Sequence, residues 1–462
     1  MIGNPASLPR PIRMACLGTH GGHAGGAAIA MERLVSGLRS CGADVDVVTR
    51  DGLSLTHLPM ERRLRRHVRH GRVHAGATMF TLDWPAWDVS HHPSVASADL
   101  VNVHWSAGFL NAESIRRITA AGRPVIWTLH DMRPFTGGCH YAGGCDGFVR
   151  GCTECPQLAA SMVELPWRVL ARSRQRMRRV PIVFVAPSRW LAEELRRSQV
   201  HDPDSHAIEV IPNGIDAERF APTTAQRHVR RRLGLPEQGM GILLGSVALD
   251  ERRKGIDRAV AAIAVMRARL ASERDGGSPP FVVSYGSNPP AIEGISVYHR
   301  GAIDEAAVID AIHACDVHLM MTREDNLPNT VMEAMACGVP VVGTAVGGLP
   351  DMIHDGVDGW LVPSEDSASA GALLARVARD PDERSAAGHE ARRRVLANWT
   401  LPEVARRYLT LAEQVRRDVP PSAHASGISL MPLSPAAVAV AGRHQRVRGI
   451  LRRLRRVCPS LP

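Results

Sequence analysis

Lysine is nearly missing from this chain. Lys and Arg total 56 of 462 residues, yet Lys254 is the only lysine among them. A coding bias toward arginine can convert any generic cation, so a lysine kept against it marks a place that needs a compact ammonium rather than a planar fork. Long apolar runs are missing too. None reaches the 18 residues of a membrane-crossing helix, and the most apolar late segment, 428–441, is interrupted by Pro432 and Pro435. A signal-peptide pattern is also lacking, because Met14 to Gly18 reads as a first strand running into a glycine loop. The expectation is a cytoplasmic chain whose nine cysteines are mostly reduced or metal-bound. The glycine loop lacks the G-x-G-x-x-G order: His20 stands two positions after Gly18, and the next strand, Ala43 to Thr49, ends in Arg50 instead of an acid. That weighs against a dinucleotide-dependent dehydrogenase.

What is present describes an ordinary globular chain. Apolar residues make up 45% and charged residues 22%, and the length suits two or three domains with substantial cores. The net charge of +10 points to an anionic partner: nucleotide, lipid surface or nucleic acid. Short apolar runs such as Ile182 to Ala186, Gly241 to Val247 and Phe281 to Gly286 alternate with helical stretches, the pattern of parallel α/β sheets.

The most informative stretch is 322–351, TREDNLPNTVMEAMACGVPVVGTAVGGLPD. It reads as loop, helix, buried strand, glycine loop and the start of a further helix. Pro328 suits the first helical turn and Gly338 a helix-ending position. Seven residues separate Asp325 from Glu333, which sets one carboxylate before a helix N-terminus and the other a turn inside. Free N–H groups and the helix dipole favour a phosphate between them. Glu333 is then placed for ribose hydroxyls, Asp325 for sugar hydroxyls, and Gly347-Gly348 for close backbone approach to a second phosphate. Lys254-Gly255, in a strand-to-helix loop, suits a diphosphate leaving group.

These residues resemble the donor-site signature of glycosyltransferase family 4, a retaining group of the GT-B fold, and DNLPNT resembles its bacterial exopolysaccharide, colanic-acid-type branch. The resemblance covers roughly residues 12–415. It implies an α/β architecture of two Rossmann-like parallel-sheet domains facing across a cleft. The expected divisions are an acceptor-side domain at 1–212 with a cysteine-rich insertion at 137–158, a donor domain at 213–398, a crossover helix at 399–415, and a linker and tail at 416–462. It implies catalytic roles for His130, Lys254 and Asp325. Donor binding is implied for Gly25, Gly26, Arg253, Lys254, Asp325, Asn326, Leu327, Asn329, Thr330, Glu333, Gly347 and Gly348. Two departures stand out. Asp325 replaces the family's usual glutamate, with Glu324 as a competing neighbour, and Ala248 stands where many members carry an arginine, leaving Arg252 or Arg253 to supply the charge.

The insertion holds Cys139, Cys145, Cys152 and Cys155 within seventeen residues. Thiolates at such spacing suit a structural zinc, with buried free thiols or disulfides as alternatives. The stretch 59–74 is arginine-rich, a solvated helix face or a lipid-touching patch. The end, RHQRVRGILRRLRRV, sets Val447, Ile450, Leu451, Leu454 and Val457 at helical spacing among arginines. The expected function is sugar transfer from a nucleotide-diphosphate sugar to a glycan or polyprenyl-linked acceptor, with no catalytic metal. The expected place is the cytoplasm or the anionic cytoplasmic face of the inner membrane, and nucleic acid is not an expected partner. The alternatives are a nucleotide-sugar epimerase of the same fold and a basic adaptor without turnover.

Overall fold

The computed structural model describes residues 11–21, 25–50, 66, 78–84, 86–159, 162, 164–272 and 277–418. The arginine-rich stretch 59–74 and the tail with Val447 to Val457 lie outside the described residues, apart from the helical position of Arg66. The first half carries β1 (Arg13–Gly18), β2 (Asp44–Thr49), β3 (Leu100–Val103), β4 (Val125–Thr128), β5 (Ile182–Ala186) and β6 (His206–Val210). These pair in the order β2-β1-β3-β4-β5-β6, every neighbour parallel. The second half carries β7 (Gly241–Ala248), β8 (Phe281–Ser287), β9 (Ser296–His299), β10 (Val317–Met320), β11 (Val341–Thr344) and β12 (Gly359–Val362). Their order is β12-β11-β10-β7-β8-β9, again all parallel.

Burial explains the sequence pattern. Every residue of β3, β4, β10 and β11 is buried, because helices cover both faces of a parallel sheet and leave no polar side to alternate with. The edge strand β2 behaves differently: Val45 and Val48 point inward while Asp44 and Asp46 are exposed. Asp44 pairs with Arg13 at 3.0 Å. β6 is an edge strand, and its sequence His-Ala-Ile-Glu-Val lacks a clean apolar period before it runs into a proline turn.

The final helix, Leu401–Asp418, returns to the first sheet. Its Val404, Ala405, Tyr408 and Ala412 join the core made by Met14, Leu34, Leu100 and Ile126. Tyr408 Oη meets Thr128 Oγ1 at 3.1 Å, and Arg407 donates to the Val210 carbonyl at 2.7 Å. Gly37 makes this approach possible, because a Cβ there would lie 2.9 Å from the Leu401 carbonyl oxygen. Among the described residues no helix is long and apolar enough to cross a membrane.

Candidate active site

Both sheets aim the loops at their carboxyl ends into one cavity of about 410 Å³. In the first sheet β1 and β3 flank the point where strand order reverses, and in the second β7 and β10 do so. Ligand crevices of open α/β sheets form at such points. Gly25 and Gly26 reach the cavity after β1, His104 and Trp105 after β3, and His130 and Asp131 after β4. Ala248 reaches it at the end of β7, Arg253 and Lys254 just beyond, and the run from Asp325 to Thr330 after β10.

The Lys254 loop is stitched to the Asp325 loop through the backbone. Arg323 N–H donates to the Arg253 carbonyl at 2.8 Å, and Thr322 Oγ1 donates to the same oxygen at 2.7 Å. Gly255 is required here. Its φ is 67°, and a Cβ would fall 1.8 Å from the Met321 carbonyl oxygen. Lys254 Nζ then donates to Asp325 Oδ2 at 2.8 Å, with Arg253 on the same oxygen at 2.9 Å. Burial alone would raise the Asp325 pKa, but the two cations outweigh it and hold the carboxyl down to about 2. Of the two candidate cations, Arg253 lines this cavity with Ala248 and Arg252 does not; both border a neighbouring cavity of about 600 Å³.

The two adjacent acids face opposite ways. Asp325 meets Lys254, whereas Glu324 lines the neighbouring cavity and accepts from the N–H groups of Gly143 at 2.7 Å and Ala142 at 3.3 Å. Tyr141, which no motif in the sequence marks, also lines the cavity. Its hydroxyl donates to Asp325 Oδ1 at 3.4 Å, and the Arg253 guanidinium lies 4.1 Å from its ring centroid. The available signal was an aromatic inside a glycine- and cysteine-rich loop, where no strand or helix gives it a core to fill.

His130 sits across the cavity. Its Nε2 lies 3.0 Å from His104 Nδ1, and its carbonyl accepts from Asn326 Nδ2 at 3.3 Å. Burial pushes its pKa down to about 4, so the ring is neutral near pH 7. Asn326 is held in turn by Ser188, whose Oγ donates to Oδ1 at 2.7 Å while capping the helix Arg189–Arg197. Asn329 Nδ2 donates to the Gly26 carbonyl at 3.0 Å, which joins the two halves at the cavity floor.

Four of the expected features sit as follows. Pro328 is the N-cap of the helix Asn329–Ala336 instead of its first helical residue, and it leaves that helix start without a side-chain cap. Glu333, expected at a ribose, does not line the cavity. Helical rotation turns it toward Arg33 of the helix Gly26–Ser40, whose Nη2 donates to Oε1 at 2.8 Å. Burial raises the Glu333 pKa against the pull of Arg33. Gly347 and Gly348, expected at a phosphate, do not line the cavity either. They let the Asp325–Asn326 backbone pack against them: a Cβ on Gly347 would lie 1.9 Å from the Asp325 carbonyl oxygen, and one on Gly348 1.7 Å from that of Asn326. Gly348 N–H is already bonded to the Asp325 carbonyl at 3.0 Å. Finally, Cys139, Cys145, Cys152 and Cys155 are free thiols. Among the described residues no group of three or more His, Cys, Asp or Glu side chains is arranged to hold a metal as it stands.

Two parallel six-stranded sheets, a shared cavity at both switch points and a closing C-terminal helix define the GT-B fold. The chain belongs to glycosyltransferase family 4: residues 24–219 match the family described as Glycosyltransferase Family 4, and residues 242–380 match Glycosyl transferases group 1. It is 27% identical over 226 residues to WcaC of Escherichia coli K12, a glycosyl transferase named for colanic acid biosynthesis, covering 48% of this chain and 51% of that protein. It is 26% identical over 456 residues to the D-inositol 3-phosphate glycosyltransferase of Streptomyces coelicolor, covering 84% of this chain and 90% of that one. The crystal structure of Anabaena HepE in complex with UDP and glucose aligns with a TM-score of 0.56 at 14% identity, over 87% of this chain and all of the other. That likeness concerns the fold.

Proposed function

We propose that this glycosyltransferase moves a sugar, with retention of configuration, from a nucleotide-diphosphate sugar to a glycan or lipid-linked glycan in the building of a bacterial exopolysaccharide or cell-surface polysaccharide. The observation that carries the reading is the chain's only lysine, placed 2.8 Å from Asp325 in the cavity that His130 also lines. In this reading the diphosphate lies between Lys254 and the uncapped start of the helix Asn329–Ala336, where N–H groups and ammonium offset the charge that develops as the sugar departs. Asp325 and Asn326 hold sugar hydroxyls. His130 stands beside the reacting carbon, with Nδ1 left for the substrate because Nε2 is engaged by His104. The incoming hydroxyl attacks from the side of the leaving diphosphate, and a phosphate oxygen takes its proton. The likeness to WcaC supports the exopolysaccharide setting. The net charge of +10 supports an acceptor or membrane surface that is anionic.

The test is a donor panel assayed for nucleoside-diphosphate release, with and without lipid-linked acceptor extract. Release that requires acceptor supports transfer. Conversion of the donor sugar to its epimer with no acceptor present would replace the reading with an epimerase.

A further inference from the structure

The four cysteines of the insertion take no part in the site above, yet they converge. Cys139, Cys145, Cys152 and Cys155 all line one cavity of about 20 Å³. A space of that size holds about one water-sized particle. Phe80, Phe148 and Pro166 wall it, so it offers sulfur ligands inside an apolar shell.

One backbone donor already faces a sulfur of the set. Gly147 N–H donates to Cys145 Sγ at 3.2 Å. Sulfur is a weak acceptor as a thiol and a far better one as a thiolate, so the N–H directed at Cys145 Sγ suits a charged ligand. Gly147 also keeps the space open: a Cβ there would lie 3.2 Å from Cys145 Sγ and 3.6 Å from Cys152 Sγ. Cys152 is held at φ 53°, a left-handed conformation that disfavours a residue with a side chain. As thiols the four do not close to ligand distances. Coordination would draw them inward onto the cavity they share.

We propose that Cys139, Cys145, Cys152 and Cys155 bind one Zn²⁺ as four thiolates. Four protons leave with binding, and no electron transfer is involved. Zinc fits a closed four-sulfur set of structural character. Its consequence for the enzyme is positional. Between Cys139 and Cys145 lie Tyr141, whose hydroxyl reaches Asp325 Oδ1, and Ala142 and Gly143, whose N–H groups hold Glu324. A metal at the root of this loop fixes the segment that joins the first half of the molecule to the Asp325 loop of the second.

The full chain, produced in zinc-supplemented medium and purified without chelators, is the material to test. Elemental analysis is expected to find about one zinc per chain. Titration with a mercurial should release that zinc in step with thiol modification, as read by a metallochromic dye; this needs no variant and no activity. The pair Cys152→Ser and Cys155→Ser together should lose the zinc and expose residues 137–158 to proteolysis. Zinc near zero with all four thiols freely alkylated, zinc retained unchanged in the double variant, or iron in its place would overturn the assignment. Diphosphate release by metal-free protein would leave the proposed transfer standing on its own.

Discussion

Arg33 Nη2 lies 2.8 Å from Glu333 Oε1, and the two residues belong to opposite halves of the molecule, 300 positions apart. The same nitrogen reaches Glu305 at 3.2 Å, and the guanidinium stands 5.0 Å from the Phe220 ring centroid. Both partners of the main pair are buried, with side chains 9% and 8% exposed. Removing one charge leaves the other buried and unpaired, which costs about 3–5 kcal/mol. Arg33→Met is therefore expected to lower the urea midpoint clearly, and Glu333→Gln on that background to recover part of it. An unchanged midpoint in Arg33→Met would remove this pair as a clamp between the halves.

Lys254→Ala is expected to lower turnover by about 2–4 kcal/mol of transition-state stabilisation, by analogy with the loss of one oxyanion donor. Lys254→Arg should rescue only part of it, because a planar fork does not occupy the seat of a compact ammonium. Arg253 still neutralises Asp325 in both variants, at 2.9 Å, so folding should survive. Diphosphate release at wild-type rate by the alanine variant would sink the leaving-group role.

The neighbouring acids should separate cleanly. Asp325→Asn is expected to weaken binding of the intact donor more than that of the free nucleoside diphosphate, since its proposed partner is the sugar. Glu324→Gln should leave donor affinity nearly unchanged, because Glu324 faces the amides of Ala142 and Gly143. Calorimetric titration of each variant with donor and with diphosphate decides. A larger loss in Glu324→Gln than in Asp325→Asn would reverse the assignment.

Acid should destabilise the fold above pH 4 through histidine. His130 and His318 are buried with pKa values pushed down to about 4 by burial, against an unfolded 6.5, and burial also holds His104 well below 6.5. Between about 4 and 6.5 the unfolded chain binds protons that the folded chain refuses. Stability is thus full above 6.5 and falls as pH drops, by about 1.4 kcal/mol per pH unit for each such histidine. Asp325, held to about 2, contributes a loss only below its unfolded 3.8. Equal urea midpoints at about pH 7.5 and about pH 5 would contradict this.

The arginines around Val447, Ile450, Leu451, Leu454 and Val457 are expected to hold the tail on anionic vesicles, at about 1 kcal/mol per basic residue near the surface. Removal of residues 440–462 should spare transfer to a soluble acceptor analogue and reduce transfer to a lipid-embedded one. Vesicle co-sedimentation should fall in the truncated chain and at high salt. Full-length and truncated chains sedimenting alike at low salt would remove the anchor.

The sequence by itself determined the local elements and the residues brought to the cavity. Short apolar runs bounded by glycine and proline marked β1, β5, β7 and β8 within a residue or two, because strand burial and turn chemistry are local. Lys254-Gly255 and the run from Asp325 to Thr330 were legible for the same reason: each sits in a loop just after a strand, and parallel strands deliver such loops to one edge. Tertiary structure alone decided the partners. Nothing in spacing told Asp325 from Glu324 until the Lys254 loop, 71 residues away, met one of them. Nothing local showed that Glu333 would turn to Arg33, that Gly347 and Gly348 would serve the packing of the Asp325 loop, or that Tyr141 would cross 184 residues to its acid. Side-chain pairing across two sheets depends on how the sheets face each other, and that follows from the whole buried surface instead of any single motif.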